Sequence, residues 1–258
     1  MSRIHPTAVV DKRAKIAEDA TVGPYTVIDG EVEVGAGTTI GAHNVLTGRT
    51  RIGRENRIFH FCSIGEANQD KKYKGEPTGL EIGDRNTIRE YATLNRGTVQ
   101  DAGVTRIGSD NWIMAYCHVA HDCQVGSHTV FANLTTLGGH VHVGDYAVLG
   151  GHSAFHQFVK VGAHAMVGGG SIVLQDVVPY VTVGGSPVST HGINAEGLKR
   201  RGFSAEAIAA LKRAYKTLFK SGLTLAEARA ELERQAAEAP EVRAIVDFLE
   251  ASTRGLLR

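Results

Sequence analysis

The stretch HVAHDCQVG, residues 118–126, sets two histidines, an aspartate and a cysteine within six positions. Imidazole, carboxylate and thiol groups either ligate metals or move protons near neutral pH. A metal site needs three or four nitrogen or sulfur ligands in a closed geometry. His118 and His121 are three residues apart, face opposite sides of an extended strand and reach one ion only across a turn. The metal reading is therefore the weaker one. One imidazole with a neighbouring carboxylate suits removal of a proton from a hydroxyl, which singles out His121 with Asp122 beside it. Gly138 and Gly139, next to His140, offer backbone N–H groups of the kind an oxyanion hole uses. The sequence has no GxSxG elbow, P-loop or GxGxxG. The expected chemistry is direct transfer to a hydroxyl or amine, with no covalent enzyme intermediate, no cofactor and no metal.

The period of the surrounding sequence indicates what must hold these residues. From Ile4 to Ile64, Ile82 to Leu94 and Ile107 to Val173, every sixth residue is a branched aliphatic or Phe, 26 positions in all. At 42% apolar content the chance odds are on the order of one in ten billion. A six-residue period suits neither a helix nor one long strand. It fits a chain that turns a corner every hexad, three hexads making a coil of about 18 residues. The expected fold is an all-β parallel β-helix, a triangular prism over roughly residues 4–178. The small residue after each aliphatic one, often Gly, would take the tight corner at positive φ. The period alone does not give the hand of the prism.

Coil arithmetic then says which histidines meet. Val119, Leu137 and Phe155 are 18 apart and stack on one face. Their flanking residues His121, His140 and His156 should line two rungs of about 4.8 Å each, the span of a sugar or nucleotide fragment. Outward turn positions are the alternative reading of such histidines. His43, His128, His152 and His164 fall four along their hexads and are expected at the surface. The hexads break at 66–81 and 95–106, which read as loops extruded from a rigid scaffold, where binding residues often lie. After QDVVPYVTVGGSP the period turns helical, giving an expected β-helix domain over 1–190 and a helical domain over 191–258. Ser204 can cap a helix carrying Ile208, Leu211, Tyr215, Leu218 and Phe219, Thr224 with Glu227 fits a capping box, and Pro240 can open the last helix.

A net charge of +1 gives no sign of nucleic-acid or membrane-surface binding. No apolar run reaches the length of a membrane helix, and MSRIHPTAVVDKR has no apolar signal region. Three cysteines, Cys62, Cys117 and Cys123, with no CxxC, argue for the reducing cytoplasm rather than a disulfide framework. Between Lys199 and Lys220 seven basic residues face one acidic. Such a surface suits an acidic carrier protein, a solvated helix face being the alternative.

With the hexads, NQDKKYKGEPT, HVAHDCQVG, HQFVKVGAHAMVGGG and NAEGLKRRGFS in view, the chain resembles the UDP-N-acetylglucosamine acyltransferase family over essentially its whole length. The resemblance implies a left-handed prism and a homotrimer with active sites between subunits. It implies transfer of a 3-hydroxyacyl group from acyl carrier protein to the 3-position of the UDP-sugar, the first step of lipid A biosynthesis. It implies His121 as general base, Asp122 as its orienting partner and the Gly139 N–H as donor to the thioester oxyanion. Asp70, Lys72, His118, His140, His156 and Gln157 match sugar- and substrate-contacting positions, and Asn194, Glu196 and Arg200 match nucleotide-end contacts. Gly169, with Met166, matches the acyl-chain ruler, where Gly leaves room for a long chain. The chain departs from the family pattern in TVGGSPVSTHG, where Pro187 stands near a position often held by histidine. The alternatives are the same transfer to a 3-amino UDP-sugar, the later N-acyltransferase of the pathway, a metal-dependent β-helical hydratase and a β-helix that only binds.

Overall fold

The computed structural model describes residues 3–257. Met1, Ser2 and Arg258, which the expected domain limits and the N-terminal reading include, lie outside the described residues. Each hexad makes a short strand, and every third strand joins the same parallel sheet, so that three sheets form the faces of a prism. The first sheet runs from Val9–Val10 to Ile172–Val173 and the second from Lys15–Ile16 to Lys160–Val161. The third starts at Thr21–Val22, passes Met166–Val167 and ends in the antiparallel pair Val181–Gly184 and Ser189–Ile193. Registers stack aliphatic on aliphatic: Val119 pairs with Leu137, and Leu137 with Phe155. Of the 26 hexad residues, 23 are buried, while Ile4, Val10 and Ile16 at the open end are half-buried. Each buried aliphatic contributes about 1.5–3 kcal/mol. The core is thus a column as long as the repeat.

The corners differ from expectation in how glycine is used. The Gly after the core residue does not take positive φ, except at Gly65, just before the first insertion. Left-handed backbone falls two residues later and mostly on other residue types, among them Tyr25, His43, Phe61, Asp122 and His140. The Gly is needed because coils stack too closely for a side chain. A Cβ on Gly35 would lie 2.6 Å from the Gly53 carbonyl oxygen, and one on Gly162 would lie 2.3 Å from the Pro179 nitrogen. The left-handed backbone costs about 1–2 kcal/mol at each non-glycine residue, and where that residue is aromatic or histidine, ring stacking along the corner often accompanies it. The rings of Tyr25, His43, Phe61, Tyr91 and Tyr116 form one such ladder, with successive centroids 4.7–5.2 Å apart.

His164 also departs from expectation. Rather than lying at the surface, it is sandwiched between Tyr146 and Tyr180 with Phe203 of the tail against its edge. Its Nδ1 is buried without a partner. Burial, with Arg201 nearby, pushes its pKa down to about 4.

Both insertions leave the same corner, between the first and second sheets. They occupy 67–78 and 96–103, shorter than expected because Ser63–Glu66, Gly79–Ile82 and Val104–Ile107 extend the ladders. The tail folds as α1 (Ala195–Arg200), α2 (Ala205–Phe219), α3 (Leu225–Glu238) and α4 (Arg243–Ala251). Asn194 and Ser204 cap the first two helices, and Thr224 with Glu227 makes a capping box on the third. Pro240 opens a single 3₁₀ turn, Pro240–Val242, that runs into α4. The tail returns to the prism at Asp176. Its buried carboxylate accepts from the Lys160, Thr253 and Arg254 N–H groups and from the Ser252 hydroxyl. No helix of the described residues is long and apolar enough to cross a membrane.

Candidate active site

Three residues past the core positions Val119, Leu137 and Phe155 stand the corner residues Asp122, His140 and Phe158. The corner is continuous with the two loops, which extend over it from the preceding coils. Between corner and loops lies a groove of about 760 Å³. Gln69 to Lys72 of the first loop line it, as do Asn95, Thr98, Gln100 and Asp101 at the second. His118, Ala120, His121, His140, Gln157 and Phe158 supply the prism wall.

Asp122 organises the site from beneath. It is fully buried, and its left-handed backbone turns the carboxylate back towards the preceding coil. There it accepts the Thr98 N–H and, at 2.6 Å, the Thr98 hydroxyl. Its own N–H donates to Thr105 Oγ1. Burial works to raise the Asp122 carboxyl, but the hydrogen bonds from His121 and Thr98 outweigh it and hold the group below the ordinary carboxylate range. An ionised carboxylate only accepts, so the 3.0 Å contact with His121 is donated by Nδ1–H. That leaves His121 Nε2 with a free lone pair. Gly139 closes on this ring: a Cβ there would stand 2.6 Å from Nε2. The Gly139 N–H donates no hydrogen bond among the described residues, whereas Gly138, the other candidate donor, is spent on the ladder to Phe155. A free base and a free N–H donor thus lie side by side at one wall of the groove.

His118 is half-buried, its Nδ1 2.7 Å from Thr93 Oγ1. Burial and the neighbouring His121 lower its pKa. His140 stacks on Phe158 at 4.4 Å and meets His121 edge-on at 5.0 Å. Asp70 bonds the Lys72 N–H within the first loop. Asp70, Lys72, His118, His121, His140 and Gln157 therefore meet in the groove.

His156 does not join them. It is the residue directly after its core position, before the corner turns, whereas His121 and His140 are two and three past theirs. Its exposed Nδ1 lies 3.1 Å from both the Gln157 carbonyl and Arg254. Asn194 caps α1 and bonds the His164 carbonyl, Glu196 pairs with Lys199, and Arg200 is exposed. Met166 and Gly169 lie on and beside a strand of the third sheet. None of these five lines the groove in a single chain. Thr98, Thr105, Asp101 and Phe158 are site residues that the hexad reading missed. Stepping by 18 along the corner itself, from Asp122 to His140 to Phe158, would have found the last.

His121, Asp122 and His140 bring three ligand atoms within 4.8 Å of one another. Both Asp122 oxygens are already engaged, and Cys117 and Cys123 turn their sulfurs to main-chain carbonyls inside the prism. The donor set therefore suits a hydrogen-bonded dyad better than an ion. All three cysteines are free, and burial raises their thiols, Cys62 and Cys117 to about 11 and Cys123 to about 12.

Comparison with known proteins agrees over the whole chain. A family profile described as UDP N-acetylglucosamine O-acyltransferase, domain 2, matches residues 176–257. The bacterial transferase hexapeptide profile matches 13–48 and 105–139. The chain is 61% identical to an acyl-[acyl-carrier-protein]–UDP-N-acetylglucosamine O-acyltransferase of Thiobacillus denitrificans, covering all of both chains. It is 56% identical to the enzyme so named in Halorhodospira halophila, again over both full lengths. The solved UDP-N-acetylglucosamine O-acyltransferase of Moraxella catarrhalis overlays with a TM-score of 0.98 at 46% identity, covering 99% of this chain and 100% of that one. With these neighbours the prism is a left-handed parallel β-helix with a C-terminal helical region.

Proposed function

The chain belongs to the UDP-N-acetylglucosamine O-acyltransferase family, and on that premise we propose how its corner groove carries out the reaction. The protein transfers an acyl group from acyl carrier protein to UDP-N-acetylglucosamine, the first step of lipid A biosynthesis. The O-transfer is favoured over the amide-forming alternatives by the full-length relatives, all named for the oxygen acceptor.

His121 is the general base. Asp122 accepts its Nδ1–H, so Nε2 takes the proton from the sugar 3-hydroxyl as that oxygen attacks the thioester carbonyl of a 3-hydroxyacyl chain. The tetrahedral oxyanion is met by the Gly139 N–H. Collapse breaks the carbon–sulfur bond, and the His121 imidazolium returns its proton to the departing carrier thiolate. No group of the enzyme is acylated. Asp70, Lys72, His118, His140 and Gln157 hold the sugar and its neighbours along the groove.

Asn194, Glu196, Arg200, Met166 and Gly169 lie away from the groove of their own chain, which supports a homotrimer whose sites form between subunits. Val9, Ile172, Trp112 and Met166 on the outer sheet faces are exposed apolar residues that such a contact would cover. Gly169 and Met166 then limit the acyl chain, and the absence of a side chain at Gly169 favours a long one. Of the basic residues between Lys199 and Lys220, Lys212, Arg213, Lys216 and Lys220 are exposed without a carboxylate partner among the described residues. They form the face for an acidic carrier protein. The unpaired cysteines support a cytoplasmic location.

The observation that carries the mechanism is the hydrogen bond from His121 Nδ1–H to the buried Asp122 carboxylate. His121→Ala should fold with an unchanged unfolding temperature and lose about 10²- to 10⁴-fold in turnover. Wild-type turnover in that folded variant would sink the assignment.

A further inference from the structure

Asp101, at the tip of the second loop, reaches across the groove to His140. Its Oδ2 lies 2.7 Å from His140 Nδ1. A carboxylate only accepts, so Nδ1 carries the hydrogen, and in the neutral ring Nε2 is left as a bare acceptor. Other contacts lock the ring plane. Phe158 stacks on one face at 4.4 Å and 7°, and His121 meets it at 89°. Nε2 itself makes no hydrogen bond among the described residues, standing 4.0 Å from Asp122 Oδ2. The His140 side chain is only 12% exposed, so its free nitrogen opens onto the groove rather than onto bulk water. Asp101 and His140 are 39 residues apart, and nothing in the hexad pattern ties them together.

We propose that Asp101 is a positioning residue for the acceptor sugar. It fixes the tautomer and orientation of His140 so that Nε2 accepts a hydrogen bond from a hydroxyl of the bound UDP-sugar. This rests on the function proposed above. Asp101 is itself half exposed, so the strength of its own bond is screened. It acts by holding an acceptor in one direction, which spares the bound sugar the cost of ordering it. A loop clasp with no bearing on the sugar would also join Asp101 to the prism, and kinetics separate the two roles.

The test is steady-state transfer with UDP-N-acetylglucosamine and acyl carrier protein substrate varied in turn. The proteins are wild type, Asp101→Ala, Asp101→Asn, His140→Ala and the double alanine variant. Asp101→Ala should raise KM for the UDP-sugar about fivefold to tenfold, the scale of one lost hydrogen bond. Its kcat should stay within about twofold, and KM for the carrier substrate should not move. Asp101→Asn should restore KM, because the amide oxygen accepts the same Nδ1–H. The double variant should be no worse than His140→Ala alone. An unchanged sugar KM in Asp101→Ala, an asparagine as damaging as alanine, or additive losses in the double variant would each overturn the proposal. Absence of transfer by the wild type would instead refute the function itself, and the proposal with it.

Discussion

Replacing Gly139 with alanine strikes the site where it is tightest. Gly139 is not among the residues at positive φ, so its backbone accepts alanine without strain. The added Cβ would stand 2.5 Å from His121 Cε1, 2.6 Å from Nε2 and 3.1 Å from Nδ1. Ordinary contact starts at 3.4 Å, so the ring must retreat by about 0.9 Å, the difference between 3.4 and 2.5. His121 cannot retreat and also keep its 3.0 Å bond to Asp122, which is pinned by Thr98. A misplacement of about 1 Å costs about 100-fold in rate, equivalent to about 2.7 kcal/mol of barrier. The N–H of residue 139 survives, so the loss reports the position of the base and not the oxyanion donor. Only a side chain has to move, and the unfolding temperature should stay within about 4 °C of wild type. The assay is acyl transfer to UDP-N-acetylglucosamine with thermal unfolding run in parallel. A folded Gly139→Ala protein with kcat within about threefold of wild type would refute the reasoning that His121 works from this position.

Two further substitutions probe the scaffold. His164→Phe keeps the corner stack and removes a titration. The folded imidazole sits at about 4 against 6.5 for the ordinary group, so the unfolded chain binds that proton more readily, and stability falls as pH drops from 6.5 towards 4. In urea unfolding the Phe variant should therefore gain up to about 2 kcal/mol over wild type on going from pH 7.5 to pH 5; parallel pH profiles would count against the buried, neutral histidine. Gly35→Ala drives a Cβ to 2.6 Å from the backbone of the next coil and should cost about 3 kcal/mol or more. Gly170→Ala, at φ +71 with no atom within 4 Å, should cost only about 1 kcal/mol. Unfolding midpoints in the reverse order would show that φ, and not coil stacking, dictates glycine in this repeat.

How far the site could be read from the sequence follows from what the hexad repeat does and does not constrain. A core residue is specified by burial alone, and burial repeats every six residues. Val119, Leu137 and Phe155 could therefore be paired across coils by counting. The helical tail was similarly open, because Ser204 and the Thr224–Glu227 pair announce helix starts through chemistry local to a few residues. The corner was harder. Its residues take their conformation from the turn and their partners from the coils above and below, so types as different as Asp122, His140 and Phe158 occupy equivalent positions. Counting from core residues to a neighbouring histidine mixed three hexad positions, and His156 does not line the groove of its own chain. The loops were harder still. Thr98 and Asp101 carry no period, and their contacts to Asp122 and His140 exist only because the insertion leaves the corner that holds both.

The same reasoning explains why this corner and not another became the site. All three corners have left-handed residues and stacked rungs. Only the one between the first and second sheets also sheds both insertions, after Glu66 and after Asn95, on the two coils directly before His121. The prism supplies rigidity, with His121 and Gly139 fixed by neighbouring rungs. The insertions supply what a six-residue repeat has no room for: a polar cover, a hydroxyl for Asp122, and in Asp101 a carboxylate that reaches Nδ1 of His140. A groove results because rigid rungs and aperiodic loops meet along one edge, and residues of both line it.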